Sequence, residues 1–469
     1  MSELDDIHHW LRERLPALLR EYKVPAAAVA VSVGGDVIDV AAGVLSLATG
    51  VEATADSVFQ VGSVTKVWTA TLVMQLADEG RVDLDAPVRQ YVPQFAVADE
   101  GAAAAITVRQ LLSHTAGFEG DIFTDTGKGD DCVEKYVATL GGTPQLFPPG
   151  SMFSYNNAGY CVLGRLIEVL RGKPFDACVR EHLFGPLGLT HAANGADEAI
   201  LFRAAVGHIQ PGPDADPVPA PIWALARSNA PAGSMLTMRA RDLVAFARMH
   251  LDGGKAADGT QVLSADSTAA MRRPQVTLPE LGLMGDEWGL GWEVFDWPGG
   301  PVIGHDGNTI GQAAMLRLVP GRDVAVALLS NGGNPFALYS EIFTKVLRDL
   351  AGVEMPPLPA PPEVPETVDV ERYLGTYACD VAELVVERDG DGRLWVEQRP
   401  KGLMAQLGGQ VERIELVHLS DDRFVPLKAT LGVHIPYVFI GDDGTGHSLY
   451  VHSGRAIRRV ATDQEPRHP

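Results

Sequence analysis

VFQVGSVTKVWTATLVMQLADEG, residues 58–80, sets one serine, Ser63, a single helical turn ahead of a lysine, Lys66, at the mouth of an apolar run closed by Gly80. Residues three apart on a helix project from one face. The unpaired N–H groups and the dipole at a helix N-terminus favour negative charge, so they support an oxyanion and disfavour an ammonium. A partly desolvated, neutral Lys66 can then take the proton of Ser63. The competing reading is a capping serine followed by a surface lysine. The rest of the chain has to decide between the two.

Two further segments bear on that choice. FPPGSMFSYNNAGYCVLGRLIEVL, residues 147–170, carries Tyr155 and Asn157 in a loop ahead of an apolar helix. A tyrosine beside a lysine can pass a proton to a leaving group, and an asparagine can hold both side chain and substrate. IGHDGNTIG, residues 303–311, sets His305 and Gly307 between strands. There His305 can orient substrate or help transfer protons, and Gly307 lets backbone approach closely. The N–H of Asn308 paired with that of Ser63 would form an oxyanion hole. A second H-x-G, His452–Gly454, lies in the later β region and is set aside as the primary element.

Taken in order, the three resemble the S-x-x-K, Y-x-N and K-T-G-like triplet of the penicillin-recognising serine enzymes. The phrases TVRQLLSHTAGF, PLGLTHA and PAGSMLTMRARDLVAFARMHL agree with it. From about residue 10 to 350 the chain resembles the class C β-lactamase and D,D-peptidase-like family. The resemblance implies that Ser63 is the nucleophile, Lys66 and Tyr155 the acid/base pair, Asn157 their hydrogen-bonding partner, and Asn308 N–H part of the oxyanion hole. It also implies an α+β fold, an antiparallel sheet with a helical region between its strands and Ser63 in the cleft where they meet. His305 stands where classical members have lysine, which removes a guaranteed cation for a substrate carboxylate.

The remaining organisation follows from composition. Six prolines between 356 and 365 make EMPPLPAPPEVPET, residues 354–367, a stiff linker. It separates a catalytic domain, 1–353, from a small β domain, 368–469. AAVAVSVGGDVIDVAAGV reads as a hairpin turning at Gly34–Gly35, 299–331 as three strands, and 335–352 as a helix. After the linker, LVVERDGDGRLWVEQ and YVFIGDDGTGHSLYVHSGR read as Asp-Gly hairpins of a small antiparallel barrel. The DGDG at 389–392 lacks the other ligands of a calcium loop. The resemblance implies that the barrel is lipocalin-like. We expect it to fold over the cleft, exclude water and influence substrate choice. Arg455 would meet an acyl-side carbonyl or carboxylate there, or pair with a surface acid.

With 38 Lys and Arg against 60 Asp and Glu, the net charge is −22. That excludes the basic footprint that nucleic acid or an anionic membrane needs. No basic segment leads into an apolar one at the N-terminus, and no apolar run reaches the ~18 residues of a membrane span. A cytoplasmic protein with four reduced cysteines is expected. There is no G-x-S-x-G elbow, no H-E-x-x-H and no cysteine cluster, so neither a metal nor a cofactor is expected. His8 and His9 read as a helix surface, and His114 as a packed loop histidine.

The architecture, with a Pro-rich linker and a lipocalin-like domain, is similar to D-aminopeptidases and to stand-alone penicillin-binding-protein-type thioesterases. The second group is favoured, because it pairs S-x-x-K and Y-x-N with H-x-G. It implies a peptidyl thioester on the peptidyl carrier protein of a nonribosomal peptide synthetase. The peptidyl group would move to Ser63 and leave as a head-to-tail macrolactam, with tolerance for a D-residue at the acyl position. The alternative is a cytosolic hydrolase of the same family, a D-amino-acid amidase, D-aminopeptidase, esterase or β-lactamase-like enzyme.

Overall fold

The computed structural model describes residues 2–212, 215–406, 408–430 and 432–460. The N-terminal helix, Glu3–Glu21, starts at a reciprocal cap in which Ser2 and Asp5 each accept the other's backbone N–H. Its buried residues Ile7, Leu11, Leu15 and Leu18 recur at helical spacing. They pack with the helix Pro335–Ala351 against one face of a sheet.

Among the described residues the sheet has eight antiparallel strands. In spatial order they are Asp36–Gly43, Ala26–Val33, Val324–Ser330, Ala313–Val319, Gly300–Asn308, Glu293–Trp297, Glu287–Trp288 and Val276–Thr277. The hairpin at Gly34–Gly35 and the three strands of 299–331 are as the sequence reading expects. Ala26–Val33 and Val324–Ser330 are covered on both faces, which explains their unbroken apolar runs. The three strands between residues 276 and 297 escape a pattern reading because two of them are only two residues long.

The helical region covers the second face. Its central helix, Thr65–Asp78, has no polar stripe, and Val67, Trp68, Ala70, Leu72, Val73 and Leu76 are all fully buried. Trp68 stacks on Phe246 with ring centroids 3.9 Å apart. Ser63 itself lies one step outside this helix, in a 3-10 turn over Gly62–Val64. No helix among the described residues is long and apolar enough to cross a membrane.

Residues 354–367 carry neither helix nor strand. Beyond them eight described strands, from Gly375–Ala378 to Ala456–Val460, close into an antiparallel barrel through the pairing of Thr376 with Val460. Tyr377, Val396, Phe424 and Phe439 fill its interior. The DGDG segment is a hairpin turn, in which Asp389 accepts the N–H groups of Asp391 and Arg393.

The barrel docks through its last hairpin. Tyr450 and Ala456 pack on Leu146 and Phe147, and each large apolar side chain buried this way contributes roughly 1.5–3 kcal/mol. Hydrogen bonds run alongside. Tyr450 donates to Leu146 O at 2.7 Å, and the Tyr155 N–H donates to Gly454 O at 3.0 Å. Ala456 N–H donates to Ser154 Oγ at 3.1 Å, and His452 Nε2 lies 3.0 Å from Phe153 O. A seat of this size holds the barrel against the segment that carries Tyr155.

Candidate active site

Lys66 is wholly buried, with Nζ donating to Ser63 Oγ at 3.1 Å and to Ala232 O at 2.6 Å. It lies 4.7 Å from the centroid of the Tyr155 ring. Burial, and then the cation of Arg455, bring its pKa down to about 7. Burial moves Tyr155 the other way, holding its phenol protonated well above the ordinary range, with the nearby Ser63 opposing that rise. Near neutral pH the serine therefore faces one group able to accept its proton and one able to give a proton.

The Tyr155 loop is held by its neighbours. Asn156 caps the helix Asn157–Arg171 by accepting from Gly159 N–H at 2.6 Å. Asn156 N–H donates to His114 Nδ1 at 2.9 Å, and the His114 ring stacks on Tyr155 with centroids 4.4 Å apart. His114 is thus the packed loop histidine that the sequence suggests, and its contact is the platform under Tyr155. Asn157 Nδ2 donates to Asp121 at 2.6 Å.

The third segment closes the site from the sheet. A Cβ on Gly307 would fall 2.0 Å from Val61 O and 2.8 Å from Ser63 N. One on Gly62 would fall 2.6 Å from Asn308 N. The two backbones can approach only without side chains here, and this brings the Ser63 and Asn308 N–H groups to one corner. Gly307 thus lets backbone approach closely here, as the sequence reading expects of it. His305 donates from Nδ1 to Asp306 O at 2.6 Å, leaving Nε2 buried with no partner. Burial, followed by the charge on Lys66, lowers its pKa to about 3. It is a neutral imidazole presenting an acceptor. Behind it Arg317 grips Asp306 through two nitrogens at 2.6 and 2.9 Å.

A cavity of about 340 Å³ is lined by Ser63, Tyr155, Asn157, His305 and Asn308. Leu281, Leu283 and Met284 make it largely apolar, and Ile435, Ser453 and Arg455 from the barrel complete its wall. The barrel therefore reaches the site. Arg455 lies 4.7 Å above the Tyr155 ring and donates from Nε to Asp121 at 2.8 Å. The acid it pairs with belongs to the site itself rather than to the open surface. Phe123 and Leu225 also line an adjoining trough of about 1000 Å³, which is room for several residues of a peptide. The sequence reading missed Asp121, and only its contacts reveal it.

A serine flanked by a lysine of near-neutral pKa and a protonated tyrosine, beside the backbone N–H groups of Ser63 and Asn308, is chemistry for making and breaking an acyl-serine ester. The fold and this arrangement define the penicillin-recognising class of serine enzymes. Comparison with known proteins agrees: residues 11–347 match the family model described as Beta-lactamase. The chain is 49% identical over 376 residues to "Penicillin-binding protein 4" of Amycolatopsis lactamdurans, covering 79% of this chain and 97% of that one. It is 24% identical over 472 residues to "Unguisins hydrolase ungD" of Aspergillus violaceofuscus, covering 88% of this chain and 82% of that one. The solved structure of SurE with D-Leu superposes with a TM-score of 0.76 at 31% identity, over 97% of this chain and 100% of that one. The chain belongs to the β-lactamase family.

Proposed function

We propose that the protein is a cytoplasmic thioesterase and peptide cyclase, acting on a peptidyl thioester carried by the carrier protein of a nonribosomal peptide synthetase. Neutral Lys66 accepts the Ser63 proton as Oγ attacks the thioester carbonyl, and the oxyanion rests on the Ser63 and Asn308 N–H groups. The carbon–sulfur bond breaks, the thiol leaves with a proton relayed from Lys66 through Tyr155, and the peptide is held as an ester. Its N-terminal amine then attacks that ester, gives up a proton to the same pair, and Ser63 is restored as the macrolactam departs.

The observation that carries this reading is His305. Where classical members supply a cation, this chain presents a neutral acceptor, which suits a substrate ending in a thioester rather than a free carboxylate. Two further points support it. The likeness to SurE, solved with D-Leu, extends over 97% of this chain and so includes the barrel, and a D-residue at the acyl position is accordingly expected. The barrel also forms one wall of the cavity, which limits the water that would compete with the amine. Hydrolysis is the second reading, favoured by the relative described as a hydrolase. Mass spectrometry of products from a peptidyl N-acetylcysteamine thioester separates the two. A cyclic product supports the proposal, and only linear acid overturns it.

Two results are expected of the proton-transfer pair. Lys66→Ala and Tyr155→Phe should each lower kcat by about 10²-fold or more, and the double variant should lose little beyond the worse single. Near-normal rates in either would reassign the base, with His305 next in line. The pH profile has a defined sign. Below about 7 Lys66 is an ammonium and cannot accept a proton, so kcat/KM should fall about tenfold per pH unit on the acid side and level off above. A profile flat from pH 5 to 8 would exclude Lys66 as the base.

A further inference from the structure

We propose that Asp121 is a positioning residue that orients Asn157 and Arg455 together, tying the barrel to the reacting serine. The proposal rests on the acyl-serine reading above. One carboxylate serves two distant parts of the chain. Oδ1 accepts from Asn157 Nδ2 at 2.6 Å, and Oδ2 accepts from Arg455 Nε at 2.8 Å. Arg455 Nη2 lies a further 3.4 Å from Oδ1.

The loop bearing Asp121 is fixed independently of these contacts. Gly120 O accepts from Ala158 N–H at 3.0 Å, and a Cβ on Gly120 would fall 2.6 Å from Asn156 Cα. Asp121 is therefore delivered by backbone packing to the first turn of the helix that carries Asn157.

The chemistry of a carboxylate settles two orientations. It can only accept, so the Asn157 amide must present nitrogen to it, leaving Oδ1 for the cavity that Asn157 lines. It also takes the Nε and Nη2 edge of Arg455, setting the guanidinium over the Tyr155 ring and leaving Nη1 for substrate. An ordinary surface ion pair would contribute little, about 0–1 kcal/mol. In this one Asp121 is 11% exposed and lines the adjoining trough, while Arg455, 38% exposed, lines the cavity.

A charge at this point also acts on the base. After burial itself, Arg455 depresses the pKa of Lys66, and Cys161 and then Asp121 oppose it. Removing the negative charge alone must favour neutral Lys66 at lower pH, and removing the positive charge alone must do the reverse. Burial, with Asp121 and Asp380 nearby, pushes Glu119 up to about 7. Glu119→Gln therefore serves as the background in which the measurement is repeated.

The test uses the full chain and a p-nitrophenyl acyl ester, whose acylation of Ser63 does not depend on the thioester assignment. Asp121→Asn, nearly isosteric and able to fold, should lower kcat/KM by about 10- to 100-fold. It should also move the acid limb of the profile down by roughly half a pH unit or more. Arg455→Met should move the limb up, and the double variant should bring it back toward the wild-type position. An acid limb that stays in place in Asp121→Asn overturns the proposal, whether or not the rate falls, because a scaffold contact alone would not move it. Absence of an acyl adduct on Ser63 in the wild-type chain would instead fail the acyl-serine reading itself.

Discussion

Ser63→Ala is expected to abolish turnover, with a loss of about 10³-fold or more, and to leave the fold intact. The substitution removes one hydroxyl, and with it one of the two hydrogen-bond partners of Lys66 Nζ. Lys66 keeps its hydrogen bond to Ala232 O at 2.6 Å, so no buried ammonium is left bare and the core around it has no reason to move. Intact-mass analysis with a slow acyl donor should find one adduct on the wild-type chain, at Ser63, and none on the variant. An adduct at another residue, or turnover retained by the variant, would end the acyl-serine reading and everything built on it.

Parts of this site were legible in the sequence because their chemistry is local. Ser63 and Lys66 sit one turn apart, and Tyr155 and Asn157 sit in one short loop, so spacing alone brings each pair together. His305 and Asn308 became legible through the ordered likeness to a family. Asp121 did not, because its meaning lies in contacts 36 and 334 residues away, and a lone aspartate after a glycine reads as an ordinary turn residue. The irregular start of the nucleophile helix escaped the sequence for a related reason. The 3-10 turn at Gly62–Val64 is where the 307–308 backbone closes on the chain, and no local propensity records that approach. The barrel was readable from its Asp-Gly hairpins, whereas its place over the cleft was an expectation that no residue pattern carried. Nor was its backbone bond to Tyr155 legible.

That bond changes what removing the barrel should do. A domain acting purely as a cover would alter the balance of cyclic to linear product and leave acylation by a small ester untouched. Here Gly454 O receives the Tyr155 N–H, and the Ala456 N–H reaches Ser154 on the preceding residue. Truncation after Thr367 strips both contacts, uncovers Leu146 and Phe147, and frees the loop that aims the Tyr155 phenol at Ser63. A displacement of about 1 Å in such a group costs on the order of 10²-fold, so kcat/KM on a p-nitrophenyl ester should fall by about that much. Gly454→Ala is the gentler form of the experiment, since the barrel remains. Gly454 has φ +97°, a conformation that an L side chain resists, and a Cβ there would lie 2.8 Å from Met284 Sδ. The turn must shift, and a smaller loss in the same direction should follow, measurable even if the truncated chain fails to fold. If both variants acylate Ser63 at the wild-type rate and only the product ratio moves, the barrel is a lid. If acylation falls first, the catalytic tyrosine is positioned by a domain that begins more than two hundred residues after it.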